Sequence, residues 1–254
     1  MKISFKKKPR IIQLTTLCRY GRFGNQLFKY AVAKKYALLN RATLEVPADW
    51  IGRKLFYIDD PAPTEGMPRV DFKNLVYDPI KPMRVDVCGH PRLQLHMNIL
   101  SKKEVGEWFR FRPEWAERYS KKKDHYVAAH MRQGDYITTV SDTYCLISEH
   151  SYTSAIQKFG YDQKDVIWVK ENTPEVDPVA TEAGFDFLPD FFTLMQADVI
   201  FRANSTFSWW AAALSNAKVY SPLVKDMVGP NDVDFVSGNH AKMLSSDDDQ
   251  KLPE

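Results

Sequence analysis

The sequence lacks any apolar run approaching the ~18 positions a membrane span requires, and no apolar stretch of signal-peptide length follows its N-terminus. It also lacks paired cysteines. Cys18, Cys88 and Cys145 are odd in number, widely spaced and in no CxxC, which argues against a disulfide framework or a zinc site and for reduced thiols in a cytosolic-type compartment. No repeat or low-complexity tract is present. The charge of +3 is not a field over the fold. Lys2, Lys6, Lys7, Lys8 and Arg10 crowd the first ten residues, and Asp247, Asp248, Asp249 and Glu254 oppose Lys251 in the last ten, leaving a near-neutral body. Dedicated nucleic-acid binding needs a clustered basic face, so that class is set aside. No GxxxxGK[ST], GxGxxG or GxSxG occurs, and the six His and three Cys show no metal-ligand spacing.

What is present is an average soluble composition, 44% hydrophobic and 26% charged, with 13% aromatics, enough for a substantial core. At roughly 150 residues per domain, 254 residues lean toward two domains. Apolar stretches at Ile11–Leu17, Tyr126–Met131, Val166–Val169, Val199–Phe201 and Lys218–Tyr220 predict strands. Helical patterns are expected at Gln26–Asn40, with Leu27, Ala31 and Leu38 on one face, and at Phe191–Ala197 and Phe207–Leu214. The alternation predicts an α/β fold with parallel sheets. Asp49–Lys81, rich in Pro and Asp, reads as irregular. The charged stretch Glu117–Asp124 is a natural junction, so the chain is divided into 1–120 and 121–254.

Three segments follow expected strands and carry polar groups where ligands of open α/β sheets gather. In Gly21-Arg22-Phe23-Gly24-Asn25-Gln26, glycines allow close approach of the backbone to a ligand, although a plain βα turn has the same composition. In His130-Met131-Arg132-Gln133-Gly134-Asp135-Tyr136, strand alternation sets His130 and Arg132 on one side, where an imidazole and a guanidinium fork suit a phosphate. Pairing of Arg132 with Asp135 across the turn is the competing reading. In Asn204-Ser205-Thr206-Phe207-Ser208-Trp209-Trp210, hydroxyls and an amide precede an apolar helix. This is an N-cap composition, and a helix start also binds phosphate. The same residues scan as a glycosylation sequon, which is discounted without a secretory signal.

Together the three segments resemble the α-1,2-fucosyltransferase family. Gly21 to Ala31 is similar to its G-R-x-G-N-Q-x-F-x-Y-A motif, His130 to Tyr136 to its H-x-R-R-G-D-Y, and Asn204 to Leu214 to its N-S-T-F-S-W-W-A-A-x-L, in the family's order. The resemblance spans about residues 11–222. It implies a GT-B-like fold of two Rossmann-like halves facing across a cleft, with an acceptor-side half (1–120) and a GDP-sugar-binding half (121–254). The implied activity is inverting, metal-independent transfer of L-fucose from GDP-β-L-fucose to a sugar hydroxyl, typically O2 of a galactoside. GDP-fucose is then the donor substrate and no cofactor is expected.

Carried over by position, Arg132 contacts the β-phosphate with His130 beside it. Ser205, Thr206 and Ser208 contact the donor phosphates, Asn204 belongs with them to the donor-binding set, Phe207 lies against the nucleoside, and Arg22 and Asn25 face the donor–acceptor cleft. Asp135 is the candidate general base, or else it orients Arg132 or His130. The second Arg of the motif is Gln133 here, removing a positive charge. Lys170-Glu171-Asn172 stands where relatives carry Ser-Asp-Asp, with Glu171 the candidate reader of guanine. Cys88–Asn98 lacks the aromatic-Gln-Ser run of relatives, which opens the acceptor question. Asp232-Val233-Asp234 and Asp247-Asp248-Asp249 are not expected to hold a metal, the first being a loop and the second an acidic tail. A GDP-sugar transferase with another acceptor, and a catalytically silent nucleotide-sugar or glycan-binding protein, are the alternatives. Animal relatives carry a membrane anchor and no such helix is read in this sequence, so a cytoplasmic enzyme of bacterial or viral type is expected, or else an excised domain of an anchored one.

Overall fold

The computed structural model describes residues 9–75, 83–91, 99–120, 125–138, 145–170, 177–224 and 229–238. The chain divides between Arg112 and Pro113 into two compact units. The sequence suggested a junction at 120. The division lies earlier because the short helix Pro113–Arg118 and the turn after it pack into the second unit. There Trp115 sits edge-on to Phe185 at 5.3 Å, Tyr119 stacks on Phe192 at 4.8 Å, and Arg118 pairs with Asp177.

The first unit holds a fully parallel sheet of β1 (Ile11–Gln13), β2 (Thr43–Glu45), β3 (Arg69–Asp71) and β4 (Arg84–Cys88), in the order β2-β1-β4-β3. The expected strand Ile11–Leu17 stops at Gln13. Asp86 accepts from the Thr15 amide at 3.0 Å and from its hydroxyl, and Leu17 and Arg19 donate back to Leu14 and Thr16, so the chain turns instead of extending. The helix that follows runs Phe23–Asn40. Leu27 and Ala31 are fully buried as the pattern predicts, but Leu38 is 54% exposed and, with Leu39, faces solvent in the last turn. The segment read as irregular contains the one-turn helix Gly52–Leu55 and β3. Its fold is fixed by an aromatic core in which Tyr30 meets Trp50 at 4.8 Å and Phe56 meets Phe109 and Phe111 at 5.2 and 4.7 Å.

The second unit is built on a five-stranded sheet. Its strands are β5 (Val127–Met131), β7 (Val166–Lys170), β8 (Val199–Phe201), β9 (Lys218–Pro222) and β11 (Phe235–Ser237), ordered β11-β9-β8-β5-β7 and parallel except for β11. β6 (Cys145–Ile147) and β10 (Gly229–Asn231) form a separate parallel pair. The four strands read from the sequence are near-continuous apolar runs because both faces of a parallel sheet are covered. Phe201 stacks on Tyr220 at 4.7 Å, and Tyr220 on Phe159 at 4.1 Å. The expectation of an α/β chain with two parallel-sheet units is met.

In each unit the strand order reverses next to its first strand, between β1 and β4 and between β5 and β8. Open α/β sheets bind ligands at such switch points, beyond the carboxyl ends of the strands. The three sequence motifs leave these strands: the first follows β1, the second β5 and the third β8.

Candidate functional site

The second unit brings two of the motifs into contact. Because β5 and β8 are adjacent and parallel, their following loops emerge side by side. The Tyr136 hydroxyl of the first loop donates to the Asn204 carbonyl of the second at 3.0 Å. His130, near the end of β5, faces Phe207 with ring centroids 5.6 Å apart, and Phe207 also meets Phe191 at 5.2 Å. The helix Thr206–Ala213 starts at Ser205, whose hydroxyl accepts from the Phe207 amide. Ser208 is fully buried and donates long bonds to the Ala203 and Ser205 carbonyls, both at 3.4 Å. Asn204 and Ser205 are buried, whereas Thr206 and Phe207 keep part of their surface. Trp209 and Trp210 are both fully buried.

Arg132 lies just past the end of β5 with its guanidinium 5.2 Å from the centre of the Tyr136 ring. Gln133, which replaces the second motif arginine, turns its amide onto the Met131 thioether at 3.4 Å. Asp135 opens the helical turn Asp135–Thr138, but its side chain lies outside the described residues. Glu171 also lies outside them. β7 ends one residue earlier at Lys170, in register with Met131 and 3.8 Å from Glu149.

His130 is closed off from water. Its Nδ1 has no hydrogen-bond partner among the described residues, and its carbonyl accepts from the buried Tyr152 hydroxyl at 2.8 Å. Burial first, and the neighbouring Arg132 charge second, push its pKa down to about 3. The ring is therefore neutral at ordinary pH and supplies an aromatic face and a nitrogen lone pair or N–H, not a charge. The sign of the stability effect follows. Between pH 6.5 and about 3 the unfolded chain holds a proton on His130 that the folded one does not, so stability falls as pH falls through that window. From pH 6.5 to 4 the loss amounts to about 3 kcal/mol at most. His130→Asn is expected to flatten the acid limb of the second unit's urea-unfolding profile, and an unchanged limb would contradict this account.

In the first unit, the loop after β1 is held from below by its own helix. Lys29, 2% exposed, donates to the Tyr20 carbonyl at 2.8 Å, and Gln26 donates to the Gly21 carbonyl at 3.0 Å while accepting from Trp50 at 2.9 Å. Burial lowers the Lys29 pKa. Arg22 is the exposed residue before the helix and makes no side-chain cap, and Asn25 is half-buried behind it. Gly21 has φ +83°, and a Cβ there would stand 2.7 Å from the Asn25 Cβ. Gly21→Ala is therefore expected to cost about 1–2 kcal/mol from the left-handed backbone alone, and more from displacing Asn25. Urea unfolding of the first unit measures it, and a cost below ~0.5 kcal/mol would show the turn to be more yielding.

Asp232 and Asp234 lie in the loop between β10 and β11, as the sequence implied. Asp232 accepts from the Ser148 hydroxyl and Asp234 sits 3.9 Å from Lys158. Among the described residues no group of three or more His, Cys, Asp or Glu is placed to hold a metal ion, and no helix is long and apolar enough to cross a membrane. The sequence reading gave no role to Tyr136, to Tyr152 or to Arg202. Arg202 is fully buried at the end of β8 and donates to Ser221 Oγ at 2.6 Å and to the Ala203 carbonyl at 3.1 Å, bracing the strand end from which Asn204 and Ser205 leave. Tyr136 stood inside a quoted motif. Nothing local marked the other two.

Residues 114–226 match the family model of glycosyl transferase family 11. The second and third motifs lie inside the matched segment and the first outside it. No curated protein matches. Among solved structures the chain is similar to the NodZ α-1,6-fucosyltransferase co-crystallized with GDP, at 16% identity and a TM-score of 0.57 over 91% of this chain and 99% of that one. NodZ from Bradyrhizobium is matched with the same identity and coverage at a TM-score of 0.56. An Arabidopsis thaliana FUT1 mutant in complex with GDP is similar at 13% identity and a TM-score of 0.49, over 85% of this chain and 71% of that one. The family match covers the second and third motifs and bears out the resemblance over that segment, and NodZ shares the α/β fold.

Proposed function

We propose that the chain is an inverting glycosyltransferase that moves L-fucose from GDP-β-L-fucose to O2 of a galactoside, forming an α-1,2 linkage without a divalent metal. One observation carries the donor half of this reading. The loops after β5 and β8 are joined through Tyr136 and Asn204, with Arg132 on one and a helix start on the other. A guanidinium fork and the amide end of a helix are two fixed, metal-free sources of positive potential, the chemistry a departing nucleoside diphosphate requires. The family 11 segment covers both loops. NodZ, described as co-crystallized with GDP, shares the fold and supports the same nucleotide here.

In the proposed reaction the C1–O bond of the donor breaks as the acceptor hydroxyl attacks from the opposite face. The electron pair leaves with GDP, whose β-phosphate gains charge that Arg132 neutralises. The acceptor proton passes to a base, for which Asp135 is the proposed group. Neutral His130 is the proposed neighbour of Arg132 at the β-phosphate, Phe207 the proposed wall for the nucleoside, and Glu171 the proposed partner of guanine. Arg22 and Asn25 are the proposed contributions of the first unit. The α-1,2 linkage rests on the motif resemblance, whereas NodZ is an α-1,6-fucosyltransferase. Acceptor choice thus separates the two.

The test is a set of galactosides and N-acetylglucosaminides offered with GDP-fucose, with linkage read by NMR. α-1,2-Fucosylated galactoside is the expected product, formed equally in EDTA. An α-1,6 product would overturn the linkage, a requirement for divalent ions the mechanism, and GDP binding without transfer to any acceptor the enzymatic reading.

A further inference from the structure

We propose that Tyr136 is the positioning residue of the donor site, setting both of its positive elements at once: the Arg132 guanidinium through its ring and the Asn204–Ser205 peptide through its hydroxyl. The inference rests on the donor reading above and goes beyond it by naming the group that gives the two loops one geometry.

The local backbone turns Tyr136 back under Arg132. Gly134 has φ +51°, a left-handed step that reverses the chain directly after Arg132 and Gln133. The Tyr136 and Ile137 amides then donate to the Gln133 and Gly134 carbonyls, both at 3.0 Å, closing a tight turn. That turn carries the phenol ring to a guanidinium distance of 5.2 Å, within the range of a cation–π contact. The ring contact also narrows the freedom of a long side chain whose ordering on donor binding carries an entropic cost.

The hydroxyl acts on the other loop. A trans peptide is planar, with its C=O and the next N–H pointing in opposite directions. Holding the Asn204 carbonyl at 3.0 Å from the Tyr136 hydroxyl therefore fixes the direction in which the Ser205 N–H points, away from Tyr136 and at the head of the helix Thr206–Ala213. Asn204 is 7% exposed, so without Tyr136 this carbonyl loses an acceptor bond where water has little access. One side chain thus couples a guanidinium and a peptide dipole separated by about seventy residues of sequence, which neither loop's own turn geometry does.

The ring and the hydroxyl can be removed separately. GDP affinity of the full chain is measured by isothermal titration for wild type, Tyr136→Phe and Tyr136→Leu, each also in an Arg132→Ala background, with melting temperatures in parallel. Tyr136→Phe keeps the ring and is expected to weaken GDP binding about threefold to tenfold. Tyr136→Leu loses both contacts and is expected to weaken it about tenfold to a hundredfold. The difference between Phe and Leu should vanish once Arg132 is alanine, since the ring acts through the guanidinium, while the acceptor KM stays within twofold of wild type in Tyr136→Phe. A tyrosine that only packs would give a Phe-to-Leu difference that persists without Arg132. That result, or wild-type GDP affinity in both variants, overturns the proposal. If Tyr136→Leu does not fold, Tyr136→Met replaces it in the cycle. Absence of GDP binding by the wild-type chain would instead refute the donor reading, and this inference with it.

Discussion

Arg132→Ala is expected to lower fucosyl transfer about 100–1000-fold while leaving the chain folded. The size follows from where the charge is needed. In the proposed reaction the β-phosphate gains negative charge as GDP departs, and removing one charge-assisted donor at such a point costs about 3–4 kcal/mol of transition-state stabilisation. Two neighbours among the described residues do not substitute for it. His130 is held neutral, with a pKa near 3, so the adjacent imidazole brings no charge. Gln133, where the family motif has a second arginine, turns its amide to the Met131 thioether. Arg132→Lys keeps the charge but loses the planar fork and the flat face that lies over Tyr136, and it should remain impaired by at least tenfold. Single-turnover measurement with GDP-fucose, alongside circular dichroism, decides the matter. Transfer within threefold of wild type by a folded Arg132→Ala would remove this residue from the mechanism.

How much of this could be read before the structure depended on length and on contact distance. The helix Phe23–Asn40 and the strands β5, β7 and β9 were legible because each keeps one environment over five residues or more, and β8, though only three residues long, because all three are apolar and buried. β2 and β3, three residues each, are too short for a period to show, and β3 is half exposed. The helix Lys102–Trp108 was missed although Ser101 and Glu104 form a capping box, a signal in plain view that only cap chemistry reveals. The helix Glu149–Lys158 was missed because its sequence is polar nearly throughout, with Tyr152, Ala155 and Ile156 its buried apolar side chains. At the site, motifs named the residues but not their contacts. That Tyr136 reaches Asn204 follows from β8 lying beside β5, a matter of strand order that no local pattern encodes. The isolation of His130 likewise depends on Tyr152 and Phe207, which arrive from elsewhere in the chain.

Trp209→Ala is expected to destabilise the second unit by about 3–5 kcal/mol, far more than loss of the helix cap beside it. The two effects compete to explain what holds the start of the helix Thr206–Ala213 at the proposed donor site. Ser205 accepts a single bond from the Phe207 amide, and an N-cap serine contributes about 1 kcal/mol. Trp209 is fully buried and meets the equally buried Trp210 edge-on at 5.0 Å, so alanine leaves a cavity too large to close by small shifts. On this account the helix is anchored by its indoles and only trimmed by its cap, which would leave the Ser205 hydroxyl and the first amides able to exchange partners with the proposed donor phosphate. Two readouts check this. Urea unfolding of the second unit should rank Trp209→Ala well below Ser205→Ala. GDP titration below the Trp209→Ala transition should show weakened binding, because the helix start loses its fixed position. Equal destabilisation by the two variants would mean that the cap, not the core, holds the helix.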